Sequence, residues 1–458
     1  MTPRTARLLV AWAGLPLVAL APRSATGQER CDLRINAARR TTVEAPGAAA
    51  QGGRAYTTHL GGGTVTLRCG GAVMTGDSAV YYESDERAEM IGRVSYRDTT
   101  RTLSANRLTY YEPSGQIVAQ GDVELFRLAN RFRLRSPRAS FYRAGSGGGR
   151  TLATGRPHMT MPPGDGGEPI EVDADEAEFV GDTLSIGRGD VVIRRSDFDA
   201  TADSAVFHPA LGRLYGRPVV TARTMRLEGD SLHAGFSGGA LDRLHAFGSA
   251  RGEGETVELE ADEIVVQWEG DDVHRIEAFG DGRSLAAATE FLIAGDSLDV
   301  AFTAGDPDSV TAVGTARTFQ LAQGRDTTAA LVEPEPQLSD SSSWIAGDSI
   351  RGWLEAGAAG PGAEAGVAGS PRTRIRRLLA SGNARSYFSA VRDSARSARP
   401  SRNYIVGSSI DITFSRGDPE SVVAKQAIGV YLEPTDRPRP NSAASAPAGA
   451  GSLPGRRP

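Results

Sequence analysis

Lysine is nearly absent from this sequence: of 51 basic residues, all but Lys425 are arginine. Against 56 acidic residues the net charge is −5. There is no basic excess of the kind that tracks a phosphate backbone, which argues against nucleic acid as a partner. Cysteine is scarce too. Cys31 and Cys69 are the only two, too few for a disulfide-rich scaffold. With no histidines beside them they cannot complete a tetrahedral metal shell, and no cofactor site is read elsewhere. The six histidines are scattered, with no partnering pattern for a catalytic triad. Aromatics make up 6% and apolar residues 40%, which permits a core but not a thick one. No stretch keeps a helical period. What abounds is glycine, 55 residues, with 25 prolines, a composition of many turns.

The one long apolar run lies at the start. Arg4 and Arg7 precede Leu8–Ala21, and Ala25-Thr26-Gly27 puts small residues before a cut at Gln28. That order is a secretory signal, so 1–27 is expected to be removed. An uncleaved anchor is the other reading, although the run is shorter than the roughly 20 residues that span a bilayer. Export would let Cys31 and Cys69 pair, pinning the first strand to the first rung; two unpaired thiols are the alternative.

From Gly76 onward one phrase recurs. Its opening half reads GDSAVYY at 76–82, then ANRLTYY, SPRASFY, ADEAEFV, ADSAVFH, GDSLHAGF, ADEIVVQW, GDSLDVAF, GDSIRGW and GSSIDITF at 407–414. Its closing half carries a glycine, as in Met90-Ile91-Gly92, Ala246-Phe247-Gly248 and Ala427-Ile428-Gly429, with looser versions at Gly155 and Gly189. Ten openings and ten closings imply a repeat architecture. Within the openings apolar residues alternate: Ala79 and Tyr81, Leu108 and Tyr110, Ala177 and Phe179, Ala205 and Phe207, Ile264 and Val266, Leu298 and Val300. A period of two predicts strands with one buried face. The Gly-Asp and Ala-Asp pairs read as turn chemistry. The glycine of each closing strand reads as a kink, or as a place where something approaches the backbone.

Repeats fill 28–330 and resume over 344–433. Residues 331–343 form a loop insertion, and 356–371 is a Gly/Ala-rich one. The tail, 434–458, has almost nothing to bury and is expected to be disordered. The fold class expected is all-β: a repetitive, solenoid-like pair of facing sheets, each unit adding one rung to each sheet. Ten rungs at about 4.8 Å give a stack on the order of 48 Å. The inward residues either line an open apolar groove or pack as a dry core.

Several tempting motifs weaken in this frame. GDSL at Gly229–Leu232 and Gly295–Leu298 resembles a hydrolase nucleophile block, but near-copies occupy the same place in other units. Asp173, Asp175, Glu176 and Glu178 mimic a calcium site but alternate along a strand. Arg188-Gly189-Asp190 sits where the repeat needs its glycine. Phe236, Trp268, Phe302, Trp353 and Phe414, at the ends of openings, read equally as lipid contacts or as an apolar plug.

The run AEMIGRVSYRD, TLSANRLTYYEPSG and VAQGDVEL, within 79–125, resembles the organic-solvent-tolerance (OstA/LptA-like) family. The likeness is close over Thr57–Arg143 and continues in worn form to about Leu432. It implies a periplasmic β-jelly-roll or "β-taco" that shelters the acyl chains of lipopolysaccharide between inner and outer membranes. It also implies end-to-end contact with partners of the same fold or with further copies, and no enzymatic activity. The twelve alternating residues named above, Ala79 to Val300, would line the lipid groove. The chain is longer than a simple bridge of this family and lacks the long C-terminal run of amphipathic strands of the family's outer-membrane barrel partner.

Overall fold

A computed structural model describes residues 33–44, 56–142, 149–162, 168–181, 183–255, 257–288, 291–320, 343–357, 372–390, 401–415 and 418–432. The expected signal at 1–27, Cys31, the tail 434–458, and most of the loop insertion and the Gly/Ala-rich insertion lie outside them. Strands make up 81% of the structure, with no helix among the described residues. The fold is all-β, as the alternation predicts.

The strands form an antiparallel meander of hairpins. Most are long and bent once near the middle. Arg87–Arg97, for example, pairs with Arg101–Tyr111 through Arg87–Ile91 on one side of a bulge and through Val94–Arg97 on the other. The bulge inserts one extra residue and turns the strand out of its plane. Repeated strand after strand, the bends divide the sheet into two half-sheets joined along a seam of corners. The first half-sheet carries the opening motifs. The second carries the segments between each closing glycine and the next opening. Where a strand is interrupted at its bend, its two arms pair separately. The strands Arg133–Tyr142, Arg150–Thr154, Glu176–Val180, Leu184–Arg195, Ile170–Asp173 and His158–Met161 therefore close a six-strand ring.

The corner has a fixed chemistry. Gly92 and Arg93 both have positive φ, 77° and 44°, and the same left-handed pair returns at Gly121-Asp122, Gly216-Arg217, Gly314-Thr315 and Gly382-Asn383. At most corners the neighbouring strand supplies an Asp opposite; Asn106 takes that place at Gly121 and Pro137 at Gly155. Asp77 N–H donates to the carbonyls of both Ile91 and Gly92, at 3.1 and 2.9 Å, and Asp230 repeats this with Phe247 and Gly248. The Asp side chain lies over the glycine so closely that a Cβ on Gly314 would sit 2.0 Å from Asp296 Oδ2. Its carboxylate then accepts from the residue after the glycine: Arg93 on Asp77, Thr315 on Asp296, Asn383 on Asp348. The Arg93 guanidinium holds the Asp77 carboxyl below its usual pKa.

Three expectations are corrected here. Each unit adds two bent strands, not one rung, because both its opening and its closing strand cross both half-sheets. About 22 strands at ~4.8 Å give a stack of roughly 100 Å, about twice the length expected. The Gly-Asp and Ala-Asp pairs are not hairpin turns. They are the Asp half of the corner, and the hairpins close elsewhere, as at Gly115, Gly238 and Gly270. The last corner is not at Gly429, which is paired with Ile405 inside a strand; it falls at Gln426, with φ 50°. The closings that look loose in sequence, Gly155 and Gly189, are regular corners with φ 88° and 75°.

Between the half-sheets runs one continuous apolar cluster, from Leu60 to Ile412. Cys69, fully buried in it, is disulfide-bonded, and the chain has one other cysteine. The corner yields a first prediction. Gly314→Ala should destabilise by about 1–3 kcal/mol through left-handed strain plus the clash with Asp296. In an Asp296→Ala background the penalty should fall towards the strain alone, about 1–2 kcal/mol. Equal penalties in both backgrounds, measured by urea unfolding, would separate the glycine from its Asp.

Candidate functional site: the interior strip and its mouth

Eleven of the twelve expected groove residues are buried: Ala79, Leu108, Tyr110, Ala177, Phe179, Ala205, Phe207, Ile264, Val266, Leu298 and Val300. Tyr81 is partly buried against the same cluster. Burial and sequence position follow the register read from alternation: Phe207 is 6% exposed, whereas its neighbour Val206 lies on the other face. The structure therefore unites these residues in one strip, packed between the half-sheets. Tyr81 sits near the hairpin edge, where burial, followed by the nearby Glu112 carboxylate, raises its hydroxyl pKa to about 12.

Opposite the seam of corners, the hairpin tips of the two half-sheets meet and form the mouth of the clamshell. Arginines from the second half-sheet cross it. Arg101 contacts Asp98, stacks over Phe141 and reaches Thr151. Arg127 donates to the Gly181 carbonyl and lies against Phe132 and Phe179. Arg195 pairs with Asp197, donates to the Gly239 carbonyl at 2.9 Å and lies against Phe198 and Phe236. Arg223 lies 5.7 Å from the centroid of the Trp268 ring, beside Asp271. Cation–π contact with a partly desolvated guanidinium contributes on the order of 1–2 kcal/mol per bridge. These bridges hold the mouth closed where they occur. Sequence reading missed them, although an arginine near a hairpin tip, with a Phe or Trp in a later unit, was visible in the repeat.

Further along, the mouth changes character. Between the tips lies a narrow apolar slot of about 50 Å³, lined by Phe291, Phe319, Trp344, Ile375, Phe388 and Phe414 among others. Of the five aromatic residues singled out in the sequence, Phe414 lines this slot. Trp268 and Phe236 belong to arginine bridges, and Phe302 packs on the core. Trp353 is stacked under Arg351 and Arg377.

The polar motifs resolve into structural pairs. Asp173 binds His158 and Arg194, and Glu178 binds Arg150 and Arg188. Asp175 sits over the corner glycine Gly189, so these carboxylates are not gathered on one ion. Among the described residues no group of three metal-ligating side chains occurs. His233 and His245 do face each other across two strands, and His245 contacts Glu263 at 3.1 Å; the scattered sequence positions conceal this pair.

The bridges carry a pH dependence. Burial acts to raise the Asp98 carboxyl, but hydrogen bonds from Tyr96 and Thr100 and from backbone N–H groups outweigh it and leave the pKa lowered. For Asp197 burial likewise opposes, and Arg195 prevails. A depressed folded pKa contributes stability that is fully present above the unfolded value near 3.9 and is lost as pH falls through the folded value. Urea midpoints should therefore drop from about pH 4 downwards. The Asp98→Asn, Asp197→Asn double variant should show a shallower drop; an unchanged slope would remove these bridges from the acid response.

No protein-family model matches the chain, and no curated protein matches it.

Proposed function

We propose that this chain is a non-enzymatic lipid conduit of the bacterial envelope, carrying lipopolysaccharide through the periplasm by sheltering its acyl chains between the two half-sheets. The observation that supports this reading most is the unbroken apolar strip from Leu60 to Ile412, bounded by a seam on one side and a mouth on the other. Exposing an acyl chain to water costs roughly 0.8 kcal/mol per CH₂. A strip of this kind offsets that cost at every position along the path and requires no specific chemistry. The slot lined by Phe291 and Phe414 is the apolar part of the mouth, where an entering chain meets aromatic walls. Elsewhere the half-sheets part to admit it.

The ends fit a protein that works in series. Among the described residues, the strands Arg34–Asn36, Arg39–Glu44, Asp418–Lys425 and Ile428–Leu432 each pair with one neighbour and form the sheet edges. Such an edge accepts a strand from a partner of the same fold. The two ends differ: the first is charged and polar, while the last exposes Ile428 at 80% and Leu432 at 57%. Contact between unlike ends, with a partner or with a second copy, joins two apolar strips into one.

A second reading is a structural β-solenoid with a dry core, and the tight burial of the strip favours it. Photo-cross-linking separates the two. A photoreactive residue at Phe207, with Val206 as control, is placed in cells that make lipopolysaccharide. The conduit predicts a lipid-shifted band at 207 and none at 206. Folded, exported protein without a band at 207 overturns it in favour of the dry core. In the same cells Phe207→Asp should impair loading far more than Val206→Asp.

A further inference from the structure

The four arginine bridges at the mouth are not alike. Arg101, Arg127 and Arg195 each donate to a hydroxyl, carbonyl or carboxylate oxygen across or beside the mouth. Arg223 follows the same plan, from the turn between Val219–Ala222 and Met225–Glu228 towards the hairpin tip at Gly270-Asp271. Yet its Nε and Nη1 are buried and have no hydrogen-bond partner, and neither has Nε1 of Trp268, the ring it lies against. Among the described residues few buried side-chain polar atoms make no hydrogen bond, and three of them belong to Arg223 and Trp268. Its one ion pair is loose, 3.4 Å from Nε to an Asp271 side chain that is almost wholly in solvent.

An unpaired buried donor costs about 1–3 kcal/mol, more when it belongs to a charged group. Three such donors in one place are an expensive arrangement unless an acceptor meets them. The chemistry of that acceptor follows from the donors. A guanidinium edge and an indole offer donor N–H groups on three nitrogens and one positive charge in partly desolvated surroundings. A carboxylate has two oxygens to offer, whereas a phosphate monoester has three on one centre and more charge. The site lies at the mouth of an apolar interior, with the Trp268 ring as one wall, so a phosphate carried on an amphiphile could rest here with its chains inside.

We propose that Arg223 and Trp268 form a phosphate-binding site at the mouth of the clamshell, in which Asp271 is the anion that the ligand displaces. The site goes beyond the conduit reading and does not require it. It is tested on the full chain with Trp268 as the only tryptophan (Trp12→Phe, Trp344→Phe, Trp353→Phe), held in neutral detergent micelles. The chain is titrated with dioleoyl phosphatidic acid, with dioleoylglycerol and with inorganic phosphate, and Trp268 emission is read. Phosphatidic acid should give a saturable change and dioleoylglycerol none. A midpoint at least tenfold lower for phosphatidic acid than for inorganic phosphate assigns the site to a lipid headgroup; equal midpoints assign it to free phosphate. Arg223→Gln should abolish the response. Because that variant removes a buried bridge, Asp271→Asn is the second arm. Asp271 is on the surface, and loss of the competing carboxylate should tighten phosphate binding roughly two- to fivefold, as for release of an exposed ion pair. No response to either phosphate, or an unchanged midpoint in Asp271→Asn, overturns the proposal. Outcomes here are independent of cross-linking at Phe207: phosphate binding without a cross-link keeps the site and loses the conduit, and the reverse keeps the conduit and loses the site.

Discussion

The fold depends above all on one recurring contact, a side chain, most often Asp, laid over a left-handed glycine where the strands bend. Two successive residues with positive φ turn the chain sharply, and only glycine tolerates the first of them with a carboxylate 2–3 Å from where its Cβ would be. The Asp N–H, shared between two carbonyls, satisfies backbone groups that the bulge would otherwise leave unpaired. Because corners recur at the same place along successive long strands, the bends align into a seam, and a single meander becomes two facing half-sheets. Without the seam, about 22 antiparallel strands would make one open, twisted sheet, with an apolar face that nothing covers.

This explains which parts of the structure were legible in the sequence. Period-two alternation fixes which residue faces which way, since a strand's faces are decided by its own residues; Ala205 and Phe207 were assignable to the inside from seven residues of sequence. The closing glycines were legible as places of close approach, and they are. What approaches them was not, because the Asp lies on another strand, from 13 residues away at Asp203–Gly216 to 34 at Asp348–Gly382, and an Asp after a glycine reads locally as a turn. The same blindness halved the expected length. Seeing that one unit crosses both half-sheets twice requires knowing that its strands bend in the middle rather than end there. The arginine bridges fail for a related reason: Arg195 and Gly239 meet only because the twisted half-sheets shift their tips against one another by more than one unit.

The interior and the mouth place opposing demands on the molecule. A strip that binds acyl chains must open, whereas a strip that contributes stability must stay packed, and here the residues that would line a groove are buried to a few per cent. The seam cannot supply the opening, because its glycine–Asp contacts leave no slack. The mouth can. Its bridges are side-chain contacts between hairpin tips, each worth a small fraction of the free energy that the continuous apolar cluster contributes. Breaking one locally costs far less than separating two strands.

Position along the chain then matters. Bridges from Arg101 to Arg223 clasp the first part of the mouth, and beyond Asp271 the tips are lined instead by Phe291, Phe319, Trp344, Phe388 and Phe414. Moving a chain from slot to bridged region exchanges one apolar contact for another at little net cost, provided the arginines can release. Arg223 stands at that boundary and is the bridge held by the fewest hydrogen bonds, with two of its own nitrogens and the neighbouring indole nitrogen making none. A latch built that way yields first to an anion that offers those donors what Asp271 does not. In the proposed conduit, release would therefore begin at this boundary rather than anywhere along the clasped stretch.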